Sequence, residues 1–180
     1  MTSIILGEKE ISRAISRIAH EIIEKNNGCQ NLALVGIRTR GAFLAKRLQK
    51  KINALEGQVV PLGILDITLY RDDLGATKQS PKIKKTEISF SVESKKIVLC
   101  DDVLFTGRTI RAAIDAIIDF GRPAVVQLAV LIDRGHRELP IRPDYIGKNI
   151  PTSKNMKVKV NMIEEDKDDS VTILVIEGQK

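Results

Sequence analysis

The chain has 180 residues and 43% apolar content, a length and composition that suit one soluble domain with an adequate core. Its two cysteines, Cys29 and Cys100, stand in no paired motif, which excludes a disulfide framework or a cysteine metal cluster. No apolar run approaches membrane-spanning length and no secretory leader opens the chain, so a cytoplasmic protein is expected.

The net charge of +6 is unevenly placed. Residues 31–60 carry six basic side chains against one acidic, residues 123–157 six against three, and residues 158–180 three against six. The basic excess suits an anionic ligand, either a polyphosphate or a nucleic acid. Aromatic content of 3% argues against a base-stacking platform for single strands.

A short apolar run at 3–6 reads as an edge strand or arm. Residues 8–27 read as an amphipathic helix with Ile11, Ile15, Ile18, Ala19, Ile22 and Ile23 on its buried stripe and Gly28 as its stop. Arg13, Arg17, His20 and Glu24 run along the opposite face. Residues 32–37 (LALVGI) form a buried strand ending in Arg38, Thr39, Arg40 and Gly41, an anion nest in composition. The glycine spacing of GIRTRG at 36–41 does not make a nucleotide triphosphatase loop, because Ala42 and Phe43 stand where Lys and Ser or Thr are required. The next helix, 41–55, should bury Leu44, Leu48, Ile52 and Leu55 and leave Lys46, Arg47, Lys50 and Lys51 as a solvated basic face. Residues 59–69 read as a long strand. The polar stretch that follows, to about residue 86, has the length of a functional loop.

Residues 97–109 (IVLCDDVLFTGRT) dominate the chain. An apolar strand delivers Asp101 and Asp102; then Val103, Leu104 and Phe105 lead to Thr106, Gly107, Arg108 and Thr109. A helical pattern follows, with Ile110, Ala113, Ile114, Ile117 and Ile118 on one side and Gly121 and Pro123 closing it. In open α/β sheets ligands bind beyond the carboxyl ends of strands. A Thr/Gly loop at a helix N-terminus suits a phosphate, and two carboxylates suit vicinal hydroxyls that donate to them. A ribose 5-phosphate carries both features. Further on, 124–132 is a buried strand ending in Asp133 and Arg134, 142–154 is a basic segment, 156–161 alternates as a strand, 164–170 is an acidic turn, and 171–176 is a last strand.

The 97–109 stretch resembles the phosphoribosyl-pyrophosphate (PRPP) signature of the type I phosphoribosyltransferases. That resemblance implies a mostly parallel sheet with helices on both faces, plus a small hood from about 134–160 and the chain ends, all in a single domain over 1–180. It assigns the ribose to Asp101 and Asp102, the 5′-phosphate to 106–109, and the pyrophosphate to 38–41. A mobile loop at about 71–88 is implied to close over the substrate through Arg71. Magnesium is implied to enter with the substrate, not in a protein cage. Across RIAHEIIEKN, LVGIRTRG, DITLYRDDL and QLAVLIDRGHRELPIRPDYIGKNIPTSK the chain is similar to bacterial proteins that regulate pyrimidine operons by transcription attenuation and also make UMP from uracil and PRPP. Purine salvage enzymes are the rival, but they carry a lysine where this chain has Asp133, and an ionised carboxylate cannot donate to a purine carbonyl. The base pocket is then expected at Asp133, Arg134 and Val158. Phe105 and Cys100 depart from the tyrosine and valine common at those positions. The same resemblance implies binding to a pyrimidine operon leader mRNA, tightened by UMP or UTP, with candidate contacts Arg13, Arg17, His20, Lys25, Arg137, Arg142, Lys148 and Lys154. It implies a homo-oligomer, a dimer at least, and neither DNA nor membrane as partner.

Overall fold

The computed structural model describes residues 2–72 and 85–176. Eight strands and three helices follow in the order β1 (Thr2–Leu6), α1 (Glu8–Asn26), β2 (Leu32–Ile37), α2 (Arg40–Glu56), β3 (Leu62–Leu65), β4 (Lys96–Leu104), α3 (Arg108–Ile118), β5 (Val125–Asp133), β6 (Tyr145–Asn149), β7 (Met156–Asn161) and β8 (Ser170–Val175). Five strands form a parallel sheet in the order β3-β2-β4-β5-β6. The other three form an antiparallel sheet, β1-β8-β7.

The central strands are apolar on both faces because both are covered. Leu32, Leu34, Val98, Cys100, Ala129 and Leu131 point to α1, α2 and the small sheet, whose Leu6, Val158, Val160 and Val171 join the same core. Ala33, Val35, Ile97, Leu99, Leu128 and Val130 point to α3 on the other side. The hood is therefore a continuation of the first core, built from the two chain ends. A buried amide cluster pins α1 to the sheet edge: Asn26 donates to Gln127 and Tyr145, and Gln127 donates back to Asn26.

Several elements differ from the sequence reading. The long strand at 59–69 is only four residues, Leu62–Leu65. The carboxylate of Asp66 accepts from the amide and hydroxyl of Thr68, and this local turn diverts the chain into a 3₁₀ turn at Thr68–Tyr70. Val59 lies outside the strand, exposed. Leu55 and Ile118, placed on buried stripes, are exposed at their helix ends, where the helices run past the sheet. Helix α1 ends on Asn27, which takes the left-handed cap conformation, one residue before Gly28. The basic segment contains β6, so residues 134–160 are shared between the two sheets. Arg47 is no part of a solvated face: it forks onto Glu164 and Asp169 of the turn between β7 and β8.

Candidate active site

Strand β4 carries the acid pair inside it, not beyond it, since pairing with β5 continues through Asp101 opposite Val130 to Leu104 opposite Asp133. Asp101 is buried and Asp102 partly exposed. Each carboxylate accepts the next backbone amide, Asp102 N to Asp101 Oδ1 and Val103 N to Asp102 Oδ1, both at 2.9 Å. Burial pushes both carboxyls above the usual range. At Asp101 the charge of Asp102 adds to the loss of solvent. Arg71 and Arg40 oppose this, the first acting on Asp101 and the second on Asp102. The pair is thus held next to one another at an electrostatic cost that donors such as sugar hydroxyls would relieve.

A cavity of about 330 Å³ lies against Asp101 of the pair, and Asp102 is not among its walls. Its walls are Arg71, Asp101, Val103, Leu104, Phe105, all of Thr106 to Thr109, Ile110 and Glu138. Gly107 is the N-cap of α3 at φ 94°, a left-handed conformation that glycine adopts without strain. Gly107 to Ile110 all line the cavity, so the positive end of the helix lies at its wall. Arg108, also at the cavity wall, is bound to Glu138 at 2.8 Å and Asp72 at 2.9 Å.

The residues expected around pyrophosphate divide by geometry. The Arg38–Thr39 peptide is cis. Arg38 points away from the acids, to the carbonyl of Lys85 and the carboxylate of Glu87. Arg40 lies close enough to act on Asp102, while its guanidinium forks onto Asp166. Gly41 has a packing reason to be glycine: a Cβ there would stand 2.4 Å from the carbonyl oxygen of Cys100. Of the loop expected at 71–88, residues 73–84 lie outside those described.

At the end of β5, Asp133 accepts from the amide of Gly135 and from Arg137. Arg134 is buried, lies 4.0 Å over the ring of Phe105, and donates to the carbonyls of Met156 and Ser153. Its Nε has no partner among the described residues, and burial lowers its pKa. Phe105 thus lacks a hydroxyl but presents its ring face to a cation. Val158 is buried in the hood core nearby in sequence to these carbonyls.

The basic residues expected to meet RNA are not equivalent. Arg13 and His20 are exposed on α1. Arg17 donates to the carbonyls of Ile146 and Gly147 and to Glu21, which ties α1 to β6. Lys25 bonds Asp144 and sits over Tyr145. Arg137 clamps the loop after β5 through Asp133, Phe105 and Ile141. Arg142, Lys148 and Lys154 are exposed. Sequence reasoning missed Glu138, which no pattern singled out, and Asp166, whose signal was only the acidic run EEDKDD.

Fold and acid-lined cavity together define a phosphoribosyltransferase. The family model described as phosphoribosyl transferase domain matches residues 1–166. The hypoxanthine phosphoribosyl transferase of Trypanosoma cruzi superposes with a TM-score of 0.72 at 18% identity, covering 96% of this chain and 90% of that one, which supports the fold. The bifunctional protein PyrR of Acetivibrio thermocellus is 63% identical over 173 residues, 96% of this chain and 94% of the relative. That of Clostridioides difficile is 59% identical over 169 residues, 94% and 96% of the two chains. The chain belongs to the PyrR family of phosphoribosyltransferases.

Proposed function

We propose that this protein transfers the phosphoribosyl group of PRPP to uracil, giving UMP and pyrophosphate, and that it regulates a pyrimidine operon by binding leader mRNA in response to UMP or UTP. The observation that carries the catalytic half is that Asp101 of β4 and the 106–109 loop line one cavity, with Asp102 next to Asp101 on the strand. The membership of the bifunctional PyrR family supports the regulatory half.

Asp101 and Asp102 accept hydrogen bonds from the ribose hydroxyls. The amides and hydroxyls of Thr106, Gly107 and Thr109 receive the 5′-phosphate at the start of α3. Thr39 and Arg40 receive the pyrophosphate, helped by Arg71. Arg134 and Val158 wall the base, with Asp133 held by Arg137. The transition state carries oxocarbenium character, so these groups act by positioning and by charge. The pair of desolvated carboxyl groups is a fitting neighbour for a divalent cation, and among the described residues no cluster of ligands builds a protein cage. Magnesium would come with PRPP, near Asp101 and Asp102, and would shield the pyrophosphate charge. The regulator works as a homo-oligomer, at least a dimer, in the cytoplasm. Its RNA face is Arg13, His20 and Lys148 around the Arg17 tie, with Arg142 and Lys154.

Two assays test this. Asp102→Asn lowers uracil phosphoribosyltransferase turnover by at least about a hundredfold, the order expected for lost charge stabilisation; near wild-type turnover rejects the assignment. Binding to leader RNA at fixed salt tightens with UMP, and an Arg13→Ala, His20→Ala variant weakens it while sparing catalysis. Weak binding that ignores both UMP and RNA sequence leaves a phosphoribosyltransferase without the regulatory role.

A further inference from the structure

Among the described residues, the turn between β7 and β8 is joined to Arg40, the residue before Gly41, which packs on the backbone of Cys100 and Asp101. Nε and Nη2 of Arg40 meet Oδ2 and Oδ1 of Asp166 at 3.0 and 2.8 Å, a two-pronged fork. Asp166 is itself fixed: its Oδ2 also accepts from the amide of Met162 at 2.9 Å, and its own amide donates to the Met162 carbonyl. Met162 is fully buried in the core beneath the hood. The planar guanidinium therefore has one edge clamped to a rigid turn. A guanidinium has five N–H groups, so the fork leaves Nη1 and one hydrogen of Nη2 for another anion. Arg40 keeps its charge, since Asp166 raises its pKa, and it acts on Asp102 of the acid pair.

We propose that Asp166 is a positioning residue for PRPP: it aims Arg40 from the hood, so that the free edge of the guanidinium meets the pyrophosphate beside Asp102. The inference rests on the assignment of Arg40 to pyrophosphate. Without the fork the flexible side chain spreads over several rotamers, and the cost of ordering it falls on substrate binding. The base wall proposed above is Arg134 and Val158, not Arg40, so uracil binding is spared.

Steady-state kinetics on the whole protein test this. Asp166→Ala raises KM for PRPP about tenfold, a coupling of the usual size for a direct contact, with KM for uracil and kcat near wild type. Inhibition by pyrophosphate weakens in parallel. Asp166→Asn, which keeps the shape and loses the charge, falls between, and thermal melting checks that both variants fold. In an Arg40→Ala background, Asp166→Ala adds nothing further to KM for PRPP. Additive effects, an equal rise in both KM values, or an unchanged KM for PRPP in Asp166→Ala overturn the proposal. If Arg40→Ala by itself leaves PRPP and pyrophosphate affinity unchanged, the assignment of Arg40 fails instead.

Discussion

Asp101 is a point of electrostatic cost in the fold. Its carboxyl is buried beside Asp102, and its pKa is raised well above the usual range by burial first and by that neighbour second. A carboxylate raised in the folded state costs stability while ionised. The penalty is present above the folded pKa, shrinks as pH falls through it, and is gone near the unfolded value of about 4. Asp101→Asn keeps an oxygen for the Asp102 amide and removes the charge. It should therefore raise Tm at pH 8 by about 2–4 °C, the effect of roughly 1 kcal/mol, while lowering activity. Melting curves at pH 8 and pH 4 check it: the gain must vanish at pH 4, and a destabilised variant at pH 8 rejects the account. The pair and the 106–109 loop were legible in the sequence because one continuous segment carries strand, acids, loop and helix. The outward turn of Arg38 to Glu87 was not, since residues far apart in sequence decide it.

At the scale of elements, those with apolar or alternating patterns were legible and the edges of the five-stranded sheet were not. Strands β2 and β7 and the three helices follow from unbroken or periodic apolar patterns. Strand β6 (YIGKN) lacks such a pattern because it is the sheet edge: Tyr145 is buried, while Lys148 and Asn149 face solvent. Its glycine carries the information instead, since a Cβ at Gly147 would stand 2.4 Å from the Leu131 carbonyl oxygen. The start of α2 obeys the same rule. Gly41 lies against the backbone of Cys100 and Asp101, and Gly36 against Ala42, so helix and strands touch without side chains between them. Gly41→Ala must push α2 away from β4. Overpacking of this kind costs about 1–3 kcal/mol. The shift also moves Arg40 relative to Asp102. Denaturant melts should show the loss, and kcat/KM for PRPP should fall with it. A variant as stable and active as wild type would mean that α2 can retreat freely.

For the whole molecule, the question is what fixes the hood over the sheet. Apolar packing joins them, and so does charge. The excess of basic residues at 31–60 and of acidic residues at 158–180 was visible in the sequence, but only the fold pairs them, because α2 and the 162–169 turn meet through more than a hundred intervening residues. Arg47 is one rivet, beside the Arg40–Asp166 fork. It forks onto Glu164 and Asp169, its side chain 20% exposed and that of Asp169 10%. Arginine bonding holds both acids below their usual pKa. Depressed carboxyl values add stability above the unfolded pKa of about 4, and that stability is lost as pH falls through the folded values. Arg47→Met keeps much of the side chain's bulk and strands both acids. Loss of one partner from a buried pair costs about 3–5 kcal/mol; the partial exposure here reduces that to roughly 2 kcal/mol, or about 4–8 °C in Tm at pH 7. Below pH 4 the variant and wild type should converge, because the wild type loses the same bonds by protonation. A gap that stays constant from pH 7 to pH 3 would place the contribution of Arg47 in its packing against the hood and remove charge from the account.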